Sequence, residues 1–247
     1  MSPSEPSSDS ESAAQPPRLG IVVGLAAEAG VAAKIRLSQE GFQESVAVSG
    51  ADSNRARALA EDQFARGAQA LLSFGIAGGL APQARSGRLL LPDAVLPPEG
   101  GRIETDAGWR RALADCLQSH GLEAETAPLQ GSDDAVTSPE AKAALHRRGG
   151  GFAVDMESHA VAAAAQAAGL PFLVLRAVAD PPGRSLPGWA LSATGEDGKV
   201  RLGAALGALG RRPWDLPASI RLGLETRRAL TALGRAVRLC PRLGLPL

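Results

Sequence analysis

Between Leu19 and Asp180, short apolar runs alternate with Ala-rich stretches of helical composition, and this alternation fixes the fold class. Leu19–Leu25 (LGIVVGL) reads as a buried strand entering a turn, followed by a helix over Ala26–Leu37 and a strand over Glu44–Ser49. A helix over Asn54–Gly67, closed by its glycine, leads to an apolar strand at Ala70–Phe74 that runs into the glycine-rich segment 75–79. Arg88–Leu91 and Ala94–Leu96 read as strand pieces interrupted at Pro92, and Gly108–His120 as a helix. Thr126–Leu129 is a strand, and Pro139–Arg148 is a helix capped by Ser138 with proline at its first position. A short strand at Phe152–Val154, a helix over Glu157–Ala168 and an apolar strand over Pro171–Val178 complete the series. Strands separated by helices pair in parallel, so the expectation is an α/β fold with helices on both faces of a largely parallel sheet. Ligands in such folds bind beyond the carboxyl ends of the strands.

The ends read differently. Residues 1–17 are rich in Ser and Pro, acidic and almost free of large apolar side chains, which predicts a disordered tail. They lack the basic start and apolar run of a signal peptide. No stretch offers the roughly 18 apolar residues of a membrane-spanning helix. From Arg221 to Leu247 there are six arginines and one acid, Glu225. Leu230, Leu233, Val237 and Cys240 share one helical face, so residues 221–247 are expected to form a basic amphipathic helix and tail beside a catalytic domain over 18–220. Such a helix suits either packing on the core with a solvated arginine face or contact with an anionic membrane.

Composition removes several classes of function. The 247 residues carry 26 basic and 26 acidic side chains, and aromatics make up 3%. A balanced charge and so few rings argue against nucleic-acid binding. Cys116 and Cys240 cannot build a disulfide framework, which favours a reducing, cytoplasmic setting. His120, His146 and His159 show no ligand spacing, so no metal and no cofactor is expected.

Three segments remain as carriers of chemistry. In Ser73–Leu80 (SFGIAGGL), glycines after a strand let backbone N–H groups approach a ligand, although a plain tight turn would use the same residues. In Ala153–Ala160 (AVDMESHA), Asp155 and Glu157 stand at a helix start, where capping is the simpler explanation. In Leu175–Asp180 (LRAVAD), an acid at the end of a buried strand is placed for proton transfer, or begins a turn before Pro181 and Pro182.

Taken in order, the three resemble the purine nucleoside phosphorylase and nucleosidase superfamily over about residues 18–183. Val154–Glu157 resembles its ribose-binding Val-Glu-Met-Glu stretch, and Arg176–Asp180 its Arg-Ala-Ile-Ser-Asp stretch. Gly20–Gly24 resembles the first strand of that family and Val48–Gly50 its next ligand loop. The resemblance implies a three-layer α/β/α fold around a mixed central sheet, cleavage of an N-glycosidic bond, and a homodimer or larger assembly. It places Asp180 at the base, with Val136 on the purine face and Thr137 offering backbone hydrogen bonds. Glu157 would bind the ribose hydroxyls, with Met156 against the sugar. Gly24, Gly50, Gly75, Ile76 and Ala77 would form the water or phosphate site. Glu28 matches the acid that positions water in hydrolytic members, whereas Arg55 and Arg57 could serve phosphate in a phosphorylase. Phe74–Gly79 follows the hydrolytic pattern except at Ile76, and hydrolysis is favoured slightly.

Ile76, a short segment over 96–108 and the basic terminus together resemble the hopanoid-associated branch of the family. That branch implies an adenosyl lipid substrate, adenosylhopane, with adenine released, and an enzyme resting peripherally on the inner membrane. 5′-Methylthioadenosine or S-adenosylhomocysteine is the soluble alternative. A purine-nucleoside-binding partner of a lipid-modifying complex is the non-enzymatic one.

Overall fold

The computed structural model describes residues 18–35, 43–187, 195, 197–199, 213–243 and 245. The expected N-terminal tail lies outside them, as does most of the 184–208 stretch beyond Pro187. In chain order the elements are β1 (Arg18–Val23), α1 (Ala26–Ala32), β2 (Gln43–Val48), α2 (Ser53–Ala65) and β3 (Ala68–Gly79). Then come β4 (Leu89–Leu90), β5 (Ala94–Leu96), β6 (Ile103–Glu104), α3 (Ala107–Ser119), β7 (Ala124–Glu125) and β8 (Leu129–Gly131). α4 (Pro139–Gly149), β9 (Ala153–Asp155), α5 (Ser158–Ala168), β10 (Phe172–Val178) and α6 (Leu216–Leu239) follow, α6 being preceded by a 3-10 turn at Pro213–Asp215.

Among the described residues the strands join one mixed sheet of ten, ordered β6-β5-β8-β9-β3-β10-β4-β7, with β1 pairing β3 and β2. β1, β2, β3 and β10 run parallel. Antiparallel pairs occur at β10–β4, β3–β9 and β5–β6. One apolar core on one face holds Phe74, Trp109 and Leu233; a second on the other holds Leu71, Phe152 and Val161. This is the expected α/β class with helices on both faces, and local chemistry explains many boundaries. Ser138 caps α4 by accepting from the Ala141 N–H, and Asp52 and Asp106 do the same for α2 and α3. α4 and α5 end at Gly150 and Gly169, both left-handed, as glycine allows.

Three elements differ from expectation. The glycine segment is not a turn: β3 continues through it to Gly79. Its first half pairs with β1 up to Ser73, β10 follows it to Ala77, and Gly78 and Gly79 then pair with β9. One strand thus serves three neighbours, and small residues allow the change of partner. The strand expected over Thr126–Leu129 is two short pieces, β7 and β8, either side of 126–128. The C-terminal helix begins at Leu216, not Arg221, because Pro217 suits a first turn. Its Ala229, Leu233, Ala236, Val237 and Cys240 are buried in the core. Cys116 of α3 is disulfide-bonded to Cys240, and the Trp109 indole N–H donates to the Leu243 carbonyl at 2.7 Å. The bond removes the cysteine-based reason for a reducing compartment. It also occupies both sulfurs of the Cys116, His120 and Cys240 group, whose ligand atoms lie within 4.8 Å of one another.

Candidate active site

A cavity of about 450 Å³ opens where β1, β3, β9 and β10 reach their carboxyl ends. Its walls come from Gly24, Leu25, Glu28, Ile76–Gly78, Asp134–Val136, Val154–Glu157 and Ala179–Asp180, with Leu186 and one face of α6 closing it. Of the expected residues, Gly24, Glu28, Ile76, Ala77, Val136, Met156, Glu157 and Asp180 line this one space. Gly50, Arg55, Gly75 and Thr137 do not. Gly50 instead donates its N–H to the Gly24 carbonyl, and the Thr137 carbonyl accepts from the Leu186 N–H. Ala51, next to Gly50, lines the cavity in a left-handed conformation, φ 59°.

Glu28 projects from α1 and is almost fully buried. Its Oε2 accepts the N–H groups of Gly24 and Leu25, each at 2.8 Å, and its Oε1 accepts that of Ile76 at 2.8 Å. The strand ends of β1 and β3 therefore grip this carboxylate from both sides. Burial pushes its carboxyl above the usual range, against the opposing pull of Arg176 and the three backbone donors. Gly75 is required beside it. A Cβ at that position would lie 2.6 Å from the Glu28 carboxyl carbon and 2.6 Å from the Arg176 guanidinium, at φ +152°. Gly24 is constrained on the other side, since a Cβ there would lie 2.5 Å from Glu157 Oε1.

Arg176, in the middle of β10, is fully buried and faces this acid cluster. Its guanidinium bonds Asp155 at 2.6 Å, Glu157 at 3.1 Å and the Ser73 hydroxyl at 2.8 Å. Although Arg176 and Asp180 lie four residues apart, they pair with different partners. Residues four apart on a strand share a face, but Arg176 reaches into the sheet centre and Asp180 lies past the strand end. Asp155 also caps α5 through the Ser158 N–H and hydroxyl. The capping explanation thus holds for Asp155, while Glu157 points to the cavity. Burial pushes Glu157 up to about 8, with the Asp155 and Glu28 charges adding to the shift and Arg176 opposing it. One guanidinium among three acids thus leaves Glu157 holding a proton near neutrality.

Asp180 lines the same cavity. It is paired with the fully buried Lys142 of α4, which also donates to the carbonyls of Pro181 at 3.2 Å and Arg184 at 3.0 Å. Sequence reasoning missed Lys142 because lysine in a helix reads as solvated; its small neighbours Ala141 and Ala143 were the only hint of an inward face. It also missed α6 as a wall of the site. Ser219, Leu222, Gly223 and Thr226 face the cavity, whereas Trp214, Leu216, Ile220 and Leu224 are exposed on the outer side.

The cavity lining therefore combines a positioned carboxylate and a proton-holding acid among polar backbone groups with an ion-paired carboxylate, and Ala135 and Val136 line the same space. Among the described residues no helix is long and apolar enough to cross a membrane.

Comparison with known proteins gives a consistent picture. The sequence model of the phosphorylase superfamily matches residues 33–206. A futalosine hydrolase of Streptomyces coelicolor is 34% identical over 157 residues, which is 56% of this chain and 61% of that protein. The chain therefore spans less than two thirds of that relative's length. Among solved structures, the futalosine hydrolase of Helicobacter pylori superposes with a TM-score of 0.61 at 21% identity, over 67% of this chain and 88% of that one. A 5′-methylthioadenosine/S-adenosylhomocysteine nucleosidase of the same organism, solved with butyl-thio-DADMe-Immucillin-A, gives 0.65 at 18% identity over 90% and 98%. At these identities the structural likeness shows the shared fold.

Proposed function

The chain belongs to the phosphorylase superfamily, and from that premise we propose that it hydrolyses the N-glycosidic bond of a 5′-substituted adenosine, releasing adenine. The observation that carries this reading is the pairing, across one cavity, of the Glu28–Glu157–Arg176 cluster with Asp180. Breaking the bond builds positive charge on the ribose and negative charge on the departing base. Carboxylates on the sugar side stabilise the first, and a proton delivered at N7 neutralises the second.

In this reading Glu157 takes the ribose hydroxyls, Met156 packs on the sugar, and Glu28 orients the water that attacks C1′. Val136 lies on the purine. The Asp180–Lys142 pair holds the proton that the base takes at N7 as the C1′–N9 electron pair leaves with it. The water oxygen bonds to C1′ and its spare proton passes to solvent through the sugar-side acids. Among the described residues no arginine or lysine lines the cavity, so a phosphate dianion would lack the charged donors it needs there. This supports hydrolysis over phosphorolysis. Cleavage in 18O-labelled water without phosphate is expected to place the label on the ribose C1′ hydroxyl. A strict need for phosphate, with no label in the sugar, would reverse this assignment.

The 5′ substituent is read as an apolar lipid tail, as in adenosylhopane. Leu186 and Leu222 wall the cavity, and the outer face of the same helix exposes Trp214, Leu216, Ile220 and Leu224. Exposed arginines 227, 228, 235 and 238 follow along α6. A Trp-anchored apolar patch beside a basic stretch suits the surface of an anionic bilayer, from which a lipid-linked nucleoside could enter directly. The homologous names favour a soluble 5′-substituted nucleoside as the second reading.

A further inference from the structure

The disulfide between Cys116 and Cys240 has an imidazole beside it. Cys116 lies in the last turn of α3 and His120 is the C-cap of that helix, so the two, four residues apart, share one face. Cys240 is the C-cap of α6. One potential ligand atom from each of the three lies within 4.8 Å of the other two. Packing brings the two helix ends together whether or not the sulfurs are bonded. Leu233, Val237 and Leu243 share a core with Trp109, Leu113 and Leu117 of α3, and the Trp109 indole N–H donates to the Leu243 carbonyl.

The surroundings suit a soft divalent cation. Both helices end at this point, and the carbonyl ends of their dipoles favour positive charge. The imidazole is held in place: its Nδ1 stands 2.9 Å from the Cys116 carbonyl oxygen and 3.2 Å from the Ser119 hydroxyl. Two sulfurs and an imidazole form a donor set that zinc takes, and the exposed His120 leaves room for water as a fourth ligand. Zinc–sulfur bonds of about 2.3 Å at a tetrahedral angle put two sulfurs about 3.8 Å apart. Cα atoms 6.1 Å apart allow that spacing by rotation of the side chains alone.

We propose that this cluster has two states: the disulfide, and after reduction a zinc-type site made by Cys116, His120 and Cys240. A dithiol reductant delivers two electrons and two protons to the S–S bond and itself becomes a disulfide. The two thiols formed release their protons to solvent as the metal binds. In the second state the metal takes over the tie between α3 and α6. The three residues do not line the cavity, so this inference stands apart from the nucleosidase reading.

The test uses the full chain and cobalt(II) as a coloured substitute for zinc. The disulfide is opened with a phosphine, which is oxidised to its oxide with oxygen from water, and the reagent is removed without air. Reduced wild type is expected to take one cobalt per chain, with a thiolate-to-cobalt charge-transfer band and the visible bands of tetrahedral cobalt. Zinc should bleach both. The oxidised chain should show neither, and C240S should lose the charge-transfer intensity of one thiolate. Because His120 is exposed, H120A should fold as wild type does, and its affinity for cobalt should fall at least about tenfold. Zinc should raise the Tm of the reduced chain and leave that of the oxidised chain unchanged. The absence of a tetrahedral spectrum in the reduced chain overturns the proposal. So does an equal spectrum in the oxidised chain, or an affinity unchanged in H120A.

Discussion

At the residue scale, the site is a problem in keeping buried charge solvent-free yet balanced. Glu157 illustrates it. Its ordinary value is 4.5 and its folded value about 8, so between those pH values the folded state holds a proton that the unfolded chain has released. Stability contributed by this group is therefore present at low pH and falls as pH rises through that window. Glu157→Gln should flatten the decline in Tm between about pH 5 and pH 8.5, and lower kcat by about a hundredfold or more if it contacts the ribose. Arg176 carries the reverse burden: Arg176→Met strands Asp155 and Glu157 without their cation and should cost about 3–5 kcal/mol, read from chemical unfolding. Gly75→Ala should cost roughly 1–3 kcal/mol and displace Glu28, since its Cβ has nowhere to go. The acids Glu28, Glu157 and Asp180 were legible in the sequence because each follows a strand end. The cations were not: nothing local says that Arg176 turns to Asp155 or that Lys142 is buried, since both partners come from distant elements.

At the element scale, the instructive cases are β3 and α6. Glycines after an apolar run are the common mark of a turn, yet in β3 they extend the strand and let it exchange β1 for β9. Sequence pattern shows that backbone comes close to something there; whether the neighbour is a ligand or a strand is decided by tertiary pairing. In α6 the apolar face over Leu233, Val237 and Cys240 was readable from its spacing and is buried. The first turns were not, because Leu216, Ile220 and Leu224 point outward while Leu222 points to the cavity. That outward stripe belongs to the proposed bilayer contact. Exchanging Trp214, Ile220 and Leu224 for serine should weaken sedimentation with anionic vesicles at least tenfold. Tm and the cleavage of a soluble nucleoside should stay near wild type, because each of these side chains is more than half exposed. Unchanged sedimentation would detach α6 from the membrane.

At the scale of the whole molecule, alternating strands and helices made the α/β class readable, because that periodicity is set by burial on both faces of a sheet. The way the chain is closed was not readable. The Cys116–Cys240 bond joins residues 124 apart and ties α3 to the far end of the helix whose near end walls the cavity. Reduction should lower stability by about 2–4 kcal/mol through release of that loop, with turnover of a soluble substrate preserved at temperatures below the new Tm. The central proposal is that this chain frees adenine from a lipid-linked adenosine without phosphate. The most direct test measures adenine released from adenosylhopane and from 5′-methylthioadenosine, each with and without phosphate. The account predicts phosphate-independent release, faster per unit of enzyme from adenosylhopane presented in vesicles. Release from 5′-methylthioadenosine alone, or from neither substrate unless phosphate is added, would contradict it.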